Sequence, residues 1–184
     1  MTSTLRRMAG VLGRVNGPLA RSGRNAAAAL LAVMLAMALA QIISRGVFNY
    51  SLDWAEELAR VALVWSVLLV APYAYRKGAN VAIVSFAVAL PPRVLVAVSF
   101  ALNALVVWVL LVLFRESFAF WRRGLQITAA SLDIKMAWIY WIVPASFALL
   151  ILVGLELLLR LLLQYRGAQS GIVMEGAMPA VVED

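Results

Sequence analysis

The chain has 184 residues, of which 65% are hydrophobic and 14% charged, with a formal net charge of +7 and neither histidine nor cysteine. A soluble domain is about half apolar and roughly a quarter charged, so this composition is suited to lipid. Without imidazole or thiol there is no histidine-ligated haem, no thiolate zinc or iron–sulfur site, no disulfide and no histidine or Cys–His catalysis, so neither an enzyme nor a cofactor is expected.

The first 24 residues carry Arg6, Arg7, Arg14, Arg21 and Arg24 and no acid. Coiled as a helix over residues 5–19, they put Leu5, Met8, Val11, Leu12, Val15 and Leu19 on one side and Arg6, Arg7 and Arg14 on the other. This predicts an amphipathic helix lying in the membrane interface and broken at Gly17-Pro18, the alternative being a disordered basic tail. Residues 26–43 then run without a charge, long enough to cross a hydrocarbon core of about 30 Å. Ala38-Leu39-Ala40 has the form of a signal cleavage site, but the long basic leader and near-full span length favour an uncleaved helix. Within this span Ala28, Ala32, Ala36 and Ala40 recur every four residues, a narrow stripe that lets another helix approach closely.

The densest polar cluster follows, from Arg45 to Arg60. Asp53 is placed to cap a second helix, with Glu56 three residues later completing a box-like pattern. Acids in a first turn suit the positive end of the helix dipole, and Glu56 and Glu57 each come within reach of Arg60. The second span covers about residues 58–75. Its charge-free part, residues 61–75, is short, and Arg60 and Arg76 are expected to lengthen it by snorkelling to the headgroups. Tyr73 and Tyr75 at its end read as interfacial anchors.

Residues 79–90 are apolar but too short to cross and end at Pro91-Pro92, which predicts a surface elbow. The third span, residues 94–114, carries Asn103 near its middle, a candidate hydrogen-bonding link between helices. Phe114, Phe118, Trp121 and Leu125 continue its helical period, so the helix is expected to run on to about Gly124. The fourth span, residues 136–155, opens on Trp138, Tyr140 and Trp141, aromatic-belt anchors, and is followed by Glu156 and Arg160 in the favourable acid-then-base order. Residues 165–184 are expected to form a disordered tail. The domain reading is therefore a basic segment (1–24), a four-helix membrane domain (25–164) and a tail (165–184). The fold class is an all-α integral membrane protein with an interfacial amphipathic helix and short interfacial connections.

Lysine and arginine set the orientation. With both termini inside, ten basic residues lie on the cytoplasmic side and six on the other, where Asp53, Glu56, Glu57, Glu116 and Asp133 accompany them. The positive charge thus reads as orientation and contact with membrane lipids. Nucleic-acid binding is not expected, because the arginines flank spans and do not form one patch. No carboxylate pair, no helix broken by Gly or Pro and no inverted repeat appears, and these are the usual marks of a transporter's own substrate site.

The run from Arg45 to Arg60, continued by Val64-Trp65, Arg76 to Val84 and Leu90-Pro91, resembles the small membrane subunit, the DctQ-like or Q subunit, of tripartite ATP-independent periplasmic (TRAP) transporters. In that family an arginine and a phenylalanine close the first helix, Trp-x-Glu-Glu opens the second, a tryptophan follows, and a basic turn precedes an elbow ending at Leu-Pro. Arg45, Phe48, Trp54, Glu56, Glu57, Trp65, Arg76 and Pro91 match this pattern. The likeness covers about residues 26–155. Asn80 stands where a histidine is common, and Val70-Ala71 where Leu-Gly is common. The resemblance implies a multi-pass protein of the bacterial inner membrane in a sodium-coupled uptake system for organic acids. Its partners would be a large multi-span permease subunit, which it braces as a scaffold, and a periplasmic substrate-binding protein, which it helps to dock.

The interface residues implied are Arg45, Phe48, Trp54, Glu56, Glu57, Arg60 and Trp65 on the outer side, with Ala32 and Ala36 on the stripe. The polar residues of the spans are Asn103, Glu156 and Arg160. Two alternatives remain open at this stage. An autonomous small multidrug-type exporter would need Glu156 as its membrane carboxylate, and a structural subunit of another membrane complex would share the composition.

Overall fold

The computed structural model describes residues 2–50, 52–77, 92–129 and 134–165. The expected elbow over residues 79–90, Asn80, Pro91 and the tail from residue 166 onward lie outside them. The described residues form five helices: α1 (Thr2–Phe48), α2 (Asp53–Arg76), α3 (Pro92–Gly124), α4 (Met136–Tyr140) and α5 (Ile142–Tyr165). Four segments are long and apolar enough to cross a membrane, namely Arg7–Phe48, Trp54–Arg76, Ala97–Gly124 and Met136–Leu163. The all-helical, four-span expectation therefore holds.

The break expected at Gly17-Pro18 does not occur, and α1 runs through Pro18 as one helix of 47 residues. Tertiary contact overrides the local signal. Ala9, Asn16, Gly17 and Ala20 are buried against neighbouring helices, and Asn16 Nδ2 donates to the carbonyl of Leu152 on α5 at 3.1 Å. Those contacts hold both sides of the proline in one axis, while Met8, Val11, Val15 and Leu19 remain exposed.

The packed line of α1 is Ala9, Gly13, Asn16, Ala20, Gly23, Ala27, Leu30, Met34, Met37, Gln41 and Ser44, spaced alternately four and three residues apart. A 3.5-residue spacing keeps one seam facing a partner along a long helix. Its first half is nearly devoid of side chain, so backbones approach closely. A methyl group on Gly23 would sit 2.6 Å from the carbonyl oxygen of Leu69 on α2. From α2, the buried Ala55, Ala62 and Ser66 face this seam at comparable spacing.

Helix α1 packs chiefly on α2 and α3 chiefly on α5, while α5 also touches α1, α2 and α4. Helix α5 is therefore the element that joins the two pairs. Gly154 lets α3 come close, since a methyl group there would lie 2.5 Å from Val107 Cγ2.

The helix ends follow local chemistry. Leu52, not Asp53, occupies the N-cap of α2 and makes no side-chain cap bond, so the expected Asp53 cap is displaced by one residue. The carboxylates still stand in the first turn, where the dipole favours them. Between α1 and α2 the chain turns through Asn49, whose φ of 51° is left-handed, with Ser44 Oγ donating to the carbonyl of Tyr50 at 3.0 Å. Helix α3 ends at Gly124, where a methyl group would meet the backbone nitrogen of Ala137 at 2.8 Å. Beyond it, Ala129 donates to Ile134 at 2.8 Å and Met136 to Ile127 at 2.9 Å, pinning α4 to the end of α3. The fourth span, expected as one helix unbroken by proline, is instead divided by a turn at Trp141, because Pro144 has no N–H to offer the carbonyl of Tyr140.

Candidate functional site

A carboxylate in an apolar bundle must be neutralised by partners or it destabilises the fold. Glu156 is 1% exposed, the most deeply buried charge among the described residues. Its partners come from three helices. Asn16 Nδ2 on α1 donates to Oε2 at 2.9 Å, Arg76 at the end of α2 reaches Oε2 through Nε at 3.4 Å and Oε1 through Nη2 at 3.2 Å, and Arg160 Nη2 on α5 lies 2.5 Å from Oε1. Each oxygen thus accepts two hydrogen bonds, which fills the acceptor capacity of a carboxylate. Gly13 provides the room, since a methyl group there would stand 3.1 Å from Glu156 Oε1 and 3.0 Å from Arg160 Nη2.

The i,i+4 pair of Glu156 with Arg160 is present, and the structure adds two partners that spacing alone does not reveal. Arg76 is directed into the bundle onto Glu156 instead of snorkelling outward, because a buried acid is a better partner than water. The contribution of Asn16 was hidden because residues 5–19 read as an interfacial helix. The signal that finds it is the 4-3 line of α1, whose first half, from Ala9 to Ala27, has Asn16 as its one polar side chain among alanines and glycines.

One turn away is a second junction. Asn103 Nδ2 on α3 donates to the carbonyl of Gly154 on α5 at 3.1 Å, and its Oδ1 accepts from the hydroxyl of Tyr75 on α2. Asn103 thus links three helices, and Tyr75, expected as an interfacial anchor, is engaged inside the bundle. Tyr73 receives Arg24, whose Nη1 donates to its hydroxyl at 3.2 Å and whose guanidinium lies 4.9 Å above its ring.

The other end of the bundle holds the acid-rich cluster. Glu56 accepts from Arg60 at 3.1 Å and from Gln41 of α1 at 3.4 Å, tying the mouths of α1 and α2 together. Both residues of the Glu56–Arg60 pair are largely exposed, so the pair contributes little to stability. Trp65 Nε1 donates to the carbonyl of Ile139 on α4 at 3.0 Å and anchors α2 to the start of the fourth span. Arg45, Phe48 and Trp54 are exposed and Glu57 is half-buried, all near this mouth. Ala28, Ala32, Ala36 and Ala40 are exposed on the opposite side of α1 from its packed line. Tyr140 packs on Phe120 with ring centroids 4.3 Å apart, while Trp138 and Trp141 are exposed. Among the described residues no group of acids is placed to hold a metal ion.

The arrangement is one of interhelical locks. No curated protein matches the chain. Residues 34–164 match the family of tripartite ATP-independent periplasmic transporters, DctQ component. That segment contains four of the five helices' packing residues, both polar junctions except Asn16, and the acid-rich mouth of α2. The chain belongs to the DctQ component family of TRAP transporters and is a small membrane subunit of that type.

Proposed function

We propose that this subunit is the static brace of a TRAP-type transporter for organic acids, packing through α1 against the large permease subunit, which carries substrate and sodium. It sits in the bacterial inner membrane with both termini cytoplasmic, an orientation supported by the ten-to-six distribution of basic residues. The mouth of α2, with Arg45, Phe48, Trp54, Glu56 and Glu57, then faces the periplasm and contributes to docking of the substrate-binding protein.

The observation that carries the reading is the outward face of α1. Ala28, Ala32, Ala36 and Ala40 are all exposed, while the inner seam of the same helix is already filled by α2 and α5. A second small-residue face supports close approach by a helix from another chain. The interior argues in the same direction, since both oxygens of Glu156 have their acceptor capacity filled by protein groups, and Asn103 is engaged through its nitrogen by Gly154 and through its oxygen by Tyr75. This also weighs against an autonomous exporter working through Glu156.

The test is purification in mild detergent from the native membrane, with mass spectrometry of what remains bound. A stoichiometric multi-span permease is expected. A chain that purifies alone, or with cofactor-bearing proteins, overturns the brace. Reversing Glu56 and Glu57 to lysine is expected to reduce uptake or assembly, and normal values for both count against a role for the α2 mouth.

A further inference from the structure

Three arginines gather where α1, α2 and α5 meet, and one carboxylate answers them. Arg76 and Arg160 are bonded to Glu156. Arg21 is not, and its hydrogen bond is from Nε to the carbonyl of Gly17 at 3.3 Å. Because Gly17 has no side chain, two guanidinium groups lie over its backbone. A methyl group there would stand 3.6 Å from Arg76 Nη1 and 3.8 Å from Arg21 Nη2. Arg76 holds Glu156 through Nε and Nη2, so Nη1 is left without a bonded group among the described residues, as are both terminal nitrogens of Arg21. Like charges directed at one spot repel unless an anion joins them. Arg24 stands three residues further along α1, exposed, and likewise bonds no described carboxylate.

Beyond Arg24, the same line of α1 continues at three- and four-residue spacing through Ala28, Leu31 and Leu35, all exposed, and reaches the exposed Ile42 seven residues further on. This line shares Ala28 with the alanine stripe and then diverges from it. A cationic fork that leads into an apolar helix face matches a ligand with an anionic head and hydrocarbon tails.

We infer that Arg21 and Arg76 Nη1, over Gly17, bind the headgroup phosphate of an anionic phospholipid, with Arg24 beside it and an acyl chain along Leu31 and Leu35. Two guanidinium edges match phosphate oxygens, and the uncompensated positive charge favours a headgroup without its own cation. The inference rests on the chain's place in a membrane and is independent of the brace proposed above.

The full chain in mild detergent, stripped of co-purified lipid, is titrated with dioctanoyl phosphatidylglycerol, dioctanoyl phosphatidylcholine and inorganic phosphate. Binding is read by native mass spectrometry and by the rise in denaturation temperature. Phosphatidylglycerol is expected to bind and stabilise, and the other two are not. Arg21→Gln and Arg24→Gln each weaken it by about fivefold, whereas Arg122→Gln at the far end of α3 leaves it unchanged. Arg21 and Arg24 are exposed, and circular dichroism checks that the variants keep their helix content. Equal binding of the two lipids overturns the inference, as does an Arg21→Gln chain with unchanged affinity. Displacement of phosphatidylglycerol by inorganic phosphate at matching concentration makes this a free-anion site and overturns the lipid assignment.

Discussion

Arg76 closes α2 and Glu156 lies on α5, 80 residues later, yet two hydrogen bonds join them in the interior of the bundle. The pair fixes the end of one helix against the middle of another, and Asn16 brings α1 to the same carboxylate. Removing the acid's charge would leave two partly buried arginines facing each other without a counter-ion. Glu156→Gln is therefore expected to destabilise the chain by about 3 kcal/mol, read as a lower denaturation midpoint in detergent. A midpoint equal to that of the unaltered chain would show that Glu156 is not the lock described.

At Gly154, α3 and α5 approach too closely to admit a side chain. A methyl group at that position meets Val107 Cγ2 at 2.5 Å and the Tyr75 hydroxyl at 3.2 Å, and a valine fixed in a helix has few rotamers with which to yield. Gly154→Ala should cost about 1–3 kcal/mol, and Val107→Ala in the same chain should recover part of it. Thermal unfolding of the single and double variants checks both statements.

Trp65 couples α2 to the turn before α5 through one hydrogen bond to the Ile139 carbonyl. Trp65→Phe keeps an aromatic ring but removes the donor, and a loss of about 1 kcal/mol is expected. An unchanged unfolding midpoint would mean that another donor, or water, satisfies that carbonyl.

The two faces of α1 should respond differently to the same substitution. Ala27 is 3% exposed, so Ala27→Leu is expected to destabilise the isolated chain by overpacking the α1–α2 seam. Ala32→Leu with Ala36→Leu, both on the outer face, should leave its unfolding midpoint within about 0.5 kcal/mol of the original and abolish co-purification with the permease. Intact co-purification in the double variant would refute the outer face as the contact.

How far the sequence carries can be read from individual residues. The helical register of the Phe114, Phe118, Trp121 and Leu125 series gave the true end of α3 at Gly124, because a hydrophobic period is a local property. The Glu156–Arg160 pair was legible for the same reason, since i,i+4 neighbours meet on any helix. Asp53 as a cap was misread by one position, as helix ends are set by backbone geometry as much as by residue type. The continuity of α1 through Pro18 was illegible locally, because the force that overrides the proline comes from helices distant in sequence.

By itself, then, the sequence determined that this protein is a bundle of four lipid-crossing helices without imidazole or thiol chemistry, and the motif from Arg45 to Trp65 pointed to its family. Hydrophobic length and composition suffice for that, because a bilayer leaves a chain few structural options. Only the tertiary structure decided which polar groups meet. Asn16, Arg76, Glu156 and Arg160 come from α1, α2 and α5, and Asn103 joins Tyr75 and Gly154 across two interfaces. Such encounters depend on which helix faces which, and in a membrane that choice is made by small-residue seams and shared hydrogen bonds, not by hydrophobicity, which lipid satisfies equally well.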